Sequence, residues 1–210
     1  VEVDRALAGL LRDRFATTPT VEIVEADILK TDPGELGGPD YLLVGNVPYY
    51  ITTPILFHAL ACRLPRRAVF LVQREVAARA MAVPGTKSYG ALSVNLQVLA
   101  SVERVFDIPP GAFRPPPKVD SSVIRITPLA KPVLHEGEQP RFRSFVQSLF
   151  SQRRKQIGTT LRRLPASASG TPAVTLDALA KLGIPPTERS ERLTPQQILE
   201  LFREVRQGEG

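Results

Sequence analysis

Tyr41-Leu42-Leu43-Val44 is an unbroken apolar run that stops at Gly45-Asn46-Val47-Pro48-Tyr49-Tyr50, and this junction restricts the architecture more than any other stretch. Continuous apolar residues suit a strand covered on both faces, as in the sheets of α/β folds. Glycine and proline then end the strand. Asn46, Pro48 and Tyr49 are therefore expected just past a strand's carboxyl end, where open α/β sheets bind their ligands.

These residue types suit the handling of a planar amino group. An asparagine side-chain oxygen accepts a hydrogen bond. The Pro48 carbonyl is expected to be a second acceptor, on a backbone whose φ the ring fixes. Two acceptors can hold both hydrogens of an exocyclic –NH2 such as that of adenine. In free adenine the lone pair of that nitrogen is delocalised into the ring, and gripping both hydrogens out of plane frees it for attack. Tyr49 offers a face for the base to stack on, an interaction worth about 1–3 kcal/mol in single-strand binders. A strand followed by an Asx-Pro turn is the plainer account of the tetrapeptide taken alone.

With 210 residues, 43% of them hydrophobic, the chain can bury one large and one small core. Its net charge of +6 suits a polyanionic partner. A single cysteine, Cys62, excludes an internal disulfide and points to a reducing compartment. Two scattered histidines, His58 and His135, cannot form a zinc cluster with it, so no metal is expected. No signal peptide and no apolar run long enough to span a membrane is present. Val1-Glu2-Val3 reads as the tail of a strand already under way, so the sequence is expected to start inside a domain.

In chain order, Asp4 is expected to cap a helix with an apolar face of Leu7, Leu10, Leu11 and Phe15. Val21-Glu22-Ile23-Val24 reads as a short strand, and Gly34-Glu35-Leu36-Gly37-Gly38 as a surface loop. Thr53-Pro54 opens a helix after the motif. Ala68 to Val72 reads as a buried strand, and Gln73-Arg74-Glu75 leads into an alanine-rich helix. Leu92 to Leu99 and Ser122 to Ile126 read as two later strands, joined without a helix and so forming an antiparallel edge. The alternation indicates an α/β fold with a mainly parallel sheet over residues 1–127. Residues 128–140 read as a linker. Residues 141–210 read as a small all-helical domain, with Phe142, Phe145, Val146, Leu149 and Phe150 on one helix face. Thr175, Leu176, Leu179 and Leu182 mark a second helix stopped at Gly183, and Thr194 starts a third.

Around the motif, Glu2 and Asp27 each follow an apolar segment, as ribose-binding and adenine-binding carboxylates of cofactor sites do; a helix cap or solvated charge is the plainer account of either one. Phe113 lies in Pro109-Pro110-Gly111-Ala112-Phe113-Arg114-Pro115-Pro116-Pro117, where it either anchors a loop or closes on the base; the local sequence favours the anchor. Gln73 and Arg74 could line a cleft, though a helix start accounts for both. Arg141, Arg143, Arg153, Arg154, Lys155, Arg162 and Arg163 form a cationic stretch, either a solvated helix face or a phosphate-contacting surface.

Taken together, the segments resemble the KsgA-type small-subunit ribosomal RNA adenine dimethyltransferases. The matches are Val1 to Asp4, Glu25-Ala26-Asp27, Asn46-Val47-Pro48-Tyr49, Phe70 to Val76, Tyr89 to Ser93, Phe113 to Ser121 and Phe150 to Lys155. The resemblance implies a Rossmann-like S-adenosylmethionine-dependent methyltransferase sheet plus a small helical RNA-binding domain. It implies a cytoplasmic, monomeric enzyme that dimethylates N6 of two adjacent adenosines near the 3′ end of small-subunit rRNA, acting on a precursor of the small ribosomal subunit. Glu2 would bind the cofactor ribose and Asp27 its adenine, with Asn46 between cofactor and target. Asn46 and Pro48 would orient the amino group, Tyr49 and Phe113 would stack on the base, and Arg153, Arg154 and Lys155 would contact RNA. The family's glycine-rich cofactor loop, with its strand and helix, finds no match here, so the chain alone is expected to bind S-adenosylmethionine poorly. Two rival readings are a large-subunit rRNA methyltransferase conferring antibiotic resistance and a non-catalytic RNA-binding assembly factor.

Overall fold

The computed structural model describes residues 1–61, 63–131, 133–134, 136–153, 155–163 and 172–207. Cys62, His135 and Arg154 lie outside the described residues.

Four strands make one sheet: β1 (Leu42–Asn46), β2 (Arg67–Gln73), β3 (Ala100–Ile108) and β4 (Ser121–Pro128), in the spatial order β1-β2-β4-β3. Only β1 and β2 run parallel, with Gly45 opposite Phe70 and Asn46 opposite Leu71. β4 pairs antiparallel with both β2 and β3. The sheet among the described residues is therefore mixed rather than mainly parallel. The reason is connectivity: β3 and β4 are joined by the proline-rich segment instead of a crossover helix.

Two other strand expectations are corrected. Leu92 to Leu99 is not a strand but a helix, α5 (Ala91–Gln97), and the antiparallel partner of β4 is the following segment, β3. Val21 to Val24 forms no strand; Glu25 makes one parallel bridge with Glu2, through Glu2 N to Val24 O at 2.9 Å and Ala26 N to Glu2 O at 3.0 Å. The Gly34 cluster is not a plain loop, because Asp32 caps Gly34 N at 2.7 Å and starts a single-turn helix, α2 (Pro33–Gly37).

The remaining helices follow the sequence signals. α1 (Arg5–Arg14) is capped by Asp4, whose carboxylate accepts from Leu7 N at 3.0 Å, although Leu7 and Leu10 of its apolar face stay exposed. α3 (Thr52–His58) follows the motif, and α4 (Arg74–Ala80) follows β2. α6 (Gln139–Ser151) buries Phe142, Phe145, Val146, Leu149 and Phe150, the predicted face. α7 (Ile157–Leu161), α8 (Pro172–Lys181) and α9 (Pro195–Gln207) complete the helical part. α8 ends at Gly183, whose φ of 64° is open to glycine, and Ile184 N closes the cap on Leu179 O at 2.9 Å. Thr194 and Gln197 bond reciprocally at the start of α9, at 2.9 and 3.1 Å.

Two apolar cores result, and α5 serves both. Leu92 and Leu96 join Phe70, Val72, Ile124 and Ile126 under the sheet, while Val94 and Val98 join Phe145, Leu149 and Phe202 among the helices. Tyr89 also enters the helical core, fully buried, with its ring edge-on to Phe150 at 5.9 Å.

Candidate active site

β1 delivers Asn46 at its last position, and the chain turns at once. Gly45 permits the close approach beneath it: a Cβ there would stand 2.9 Å from the Phe70 ring and 3.0 Å from Val47 Cγ1. Pro48 has φ −57° and ψ 134°, after which Tyr49–Ile51 make one 3₁₀ turn into α3. Val47 is buried in the sheet core, whereas Asn46 and Pro48 are exposed and Tyr49 is half-buried.

Two cavities meet at this turn. The first, about 410 Å³, is lined by Glu2, Asp27, Gly45, Asn46, Pro48 and Tyr50 among others. The second, about 340 Å³, is lined by Asn46, Val47, Pro48, Tyr49, Phe113, Pro115 and Pro117. Asn46, Val47 and Pro48 are the residues common to both linings. The Glu2–Glu25 bridge explains how Glu2 and Asp27, distant in sequence, reach the same cavity. Glu2 Oε1 accepts from Asp4 N at 2.9 Å, and Asp27 Oδ1 accepts from Leu29 N at 3.0 Å. Each carboxylate thus has its orientation fixed by one backbone donor and keeps further acceptor capacity.

The chemistry of the linings separates the two spaces. Among the described residues, the larger cavity carries two carboxylates and neither lysine nor arginine. Those acceptors suit hydroxyl groups and a cationic ligand, and they are ill suited to a pyrophosphate. The smaller cavity has two aromatic rings, three prolines and one amide, which suits a flat heterocycle.

The Pro48 oxygen, expected as an acceptor for a target amino group, has partners within the protein. The Pro48 carbonyl accepts from Ile51 N at 3.1 Å and from Thr52 Oγ1 at 3.2 Å, with Thr52 buried. Both lone pairs thus have a partner, and this oxygen is turned to the start of α3. The Val47 carbonyl, one residue earlier, accepts no hydrogen bond among the described residues. Sequence reasoning missed this, because the turn that claims the Pro48 oxygen depends on Thr52 folding back.

Phe113, for which the local sequence favoured a loop anchor, is half-buried and lines the smaller cavity with Tyr49. Gln73 and Arg74 do not line that cavity. They border a separate one of about 360 Å³ with Pro110, Lys118 and Asp120, where Arg74 pairs with Asp120 at 2.8 Å. His58 lies at the end of α3 with Nε2 2.7 Å from the Thr31 carbonyl, and it also lines the larger cavity. Of the predicted RNA contacts, Arg153 donates to the Lys87 carbonyl at 3.2 Å and pairs with Glu191 at 3.5 Å. Lys155 is exposed and borders a cavity of about 530 Å³ with Arg153, Gln152 and Arg163. Among the described residues, no group of histidine, cysteine, aspartate and glutamate could hold a metal ion, and no helix is long and apolar enough to cross a membrane.

The chain is similar to known proteins in sequence and in fold. Residues 1–207 match the family described as ribosomal RNA adenine dimethylase. The chain is similar to the ribosomal RNA small subunit methyltransferase A of Acidobacterium capsulatum, at 41% identity over 97% of this chain and 71% of that protein. It is similar to the protein of that name from Geobacter metallireducens at 41% identity, covering 97% and 75%. The fold is that of a solved dimethyladenosine transferase from Plasmodium falciparum, with a TM-score of 0.81 at 24% identity, covering 99% of this chain and 81% of that one. The solved 23S rRNA methyltransferase ErmE gives a TM-score of 0.64 at 29% identity, covering 98% and 80%.

Proposed function

The chain belongs to the ribosomal RNA adenine dimethylase family, and from that premise we propose that it transfers methyl groups from S-adenosylmethionine to N6 of two adjacent adenosines near the 3′ end of small-subunit rRNA. The observation that carries this reading is the meeting of two chemically different cavities at Asn46, Val47 and Pro48. Identities of 41% to small-subunit methyltransferases, against 29% to the large-subunit enzyme, favour the small-subunit substrate. We assign catalysis to residues 1–127 and RNA capture to residues 141–210, in a monomer acting in the cytoplasm on a precursor of the small subunit.

When bound, S-adenosylmethionine supplies an electrophilic methyl group on a sulfonium sulfur. In the larger cavity Glu2 and Asp27 would accept hydrogen bonds from its ribose hydroxyls and its adenine amino group. Their negative charge also favours a cationic donor. The target adenine enters the smaller cavity after leaving its stack, and Tyr49 and Phe113 hold its faces. Asn46 Oδ1 accepts one N6 hydrogen. With the Pro48 oxygen committed elsewhere, the Val47 carbonyl is the second acceptor of this scheme. Holding both hydrogens directs the nitrogen lone pair across the shared wall. No protein base is needed before attack, because methylation acidifies the nitrogen and its proton then leaves to water. The residues contribute chiefly positioning.

The test is methyl transfer from labelled S-adenosylmethionine to small-subunit particles that lack the modification, followed by mapping of the methylated nucleotides. Label on two adjacent adenosines, lost in Asn46→Ala, is the expected result. Label in large-subunit rRNA, or activity unaffected by Asn46→Ala, would overturn the assignment.

A further inference from the structure

Ser121 is fully buried at the first position of β4, and its Oγ lies 2.6 Å from the Tyr49 hydroxyl. The two residues are 72 positions apart in sequence. Ser121 is paired on both sides, with Gln73 of β2 and Ile108 of β3, so its backbone sits where three strands are held together. Tyr49 is placed differently. It lies beyond β1 in a single 3₁₀ turn with no side-chain cap, and its ring is half-buried. The backbone alone leaves that ring free to tilt; the hydrogen bond at its far end does not.

Ser121 also marks the end of the proline-rich segment. Phe113, Pro115 and Pro117 of that segment form the wall that shares the smaller cavity with Tyr49. One hydrogen bond therefore links the ring on one wall to the strand into which the other wall runs.

We propose that Ser121 is a positioning residue for methyl transfer, fixing the tilt of Tyr49 and its spacing from Phe113 so that a purine is seated with its amino group at Asn46. This rests on the assignment of the smaller cavity to the target base. The serine touches neither substrate nor cofactor and acts through the tyrosine.

The experiment is steady-state methyl transfer to unmodified small-subunit particles by the full chain, comparing wild type, Tyr49→Phe, Ser121→Ala and the double variant. Tyr49→Phe keeps the whole stacking face and removes only the tether, so it carries the test even where Ser121→Ala folds poorly. Each single variant is expected to lower kcat by about tenfold, because a slightly misplaced reactant is costly. KM for the particle is expected to stay within about twofold, since most of the RNA contact lies elsewhere. The double variant is expected to be no slower than the slower single, as for two ends of one interaction. Cofactor affinity by calorimetry stays at the wild-type value.

Wild-type kcat in Tyr49→Phe overturns the proposal, as do losses that multiply in the double variant. A fall in cofactor affinity in step with kcat also overturns it, since that reports general loosening. A wild-type protein that binds S-adenosylmethionine yet methylates no adenine removes the base-pocket assignment, and the role of Ser121 with it; an active wild type with an indifferent Tyr49→Phe removes only the role of Ser121.

Discussion

The Tyr89 hydroxyl donates to the Leu193 carbonyl at 2.8 Å, joining two segments 104 residues apart through a phenol with no exposure to solvent. Tyr89 leads into α5 and Leu193 leads toward α9, so the bond ties the helix shared by both cores to the C-terminal helix. Gly85 N to Glu191 O at 2.7 Å reinforces the same junction. Tyr89→Phe leaves a buried carbonyl without its donor and is expected to cost about 1–3 kcal/mol. Urea unfolding followed by circular dichroism checks this, with the midpoint falling and the slope unchanged.

Burial pushes the Tyr89 phenol well above its usual pKa of 10.0. The folded state therefore holds this proton more tightly than the unfolded chain does. The stabilisation that results is complete below about pH 10, where the unfolded phenol begins to ionise. It is lost as pH rises from there through the elevated folded value. Wild type should lose stability in this alkaline window, and Tyr89→Phe should lose less over the same window.

Glu2→Gln and Asp27→Asn separate charge from local structure. Glutamine can still accept from Asp4 N, and asparagine can still cap Leu29 N, so the turns survive. Each variant is expected to weaken S-adenosylmethionine binding about tenfold or more, the worth of a hydrogen bond to a charged group. Calorimetry reads the cofactor, and RNA binding measured in parallel should not change.

Phe113→Ala removes one wall of the smaller cavity and about 1–3 kcal/mol of stacking. kcat/KM is expected to drop about tenfold, with Phe113→Tyr retaining most of the rate. Unaltered cofactor affinity would locate the loss on the nucleotide side.

The basic residues divide into two kinds. Arg153 is engaged with Lys87 and Glu191, so Arg153→Ala should lower thermal stability as well as affinity for RNA. Lys155 and Arg163 are exposed. Replacing both with alanine should leave stability unchanged and reduce the salt dependence of RNA binding, by about one unit of slope for each phosphate no longer neutralised. Filter binding across a salt series distinguishes the two patterns.

Most of this site was legible in the sequence because strand ends and turns are local. The run from Tyr41 to Val44 led into β1 (Leu42–Asn46), and Asn46 stands at its end as expected. Cover on both faces is not met: Leu42 and Val44 are exposed, and β1 stands at the edge of the sheet formed by the described residues. The commitment of the Pro48 oxygen was not legible, since it depends on the reach of one threonine hydroxyl. The same holds for Ser121, whose role arises from strand pairing. Leu92 to Leu99 misled for a physical reason. Leu92 and Leu96 face one core while Val94 and Val98 face the other, so a helix buried on two sides mimics the alternation of a strand. β3 escaped notice because it is an edge strand with mostly exposed residues, Glu103, Arg104 and Asp107 among them, and so lacks a hydrophobic pattern.

The two cavities share only the short stretch Asn46-Val47-Pro48. On the proposed assignment, donor and recipient have separate berths with a common threshold of three residues, an arrangement that lets a spent donor be replaced without the nucleotide leaving its seat.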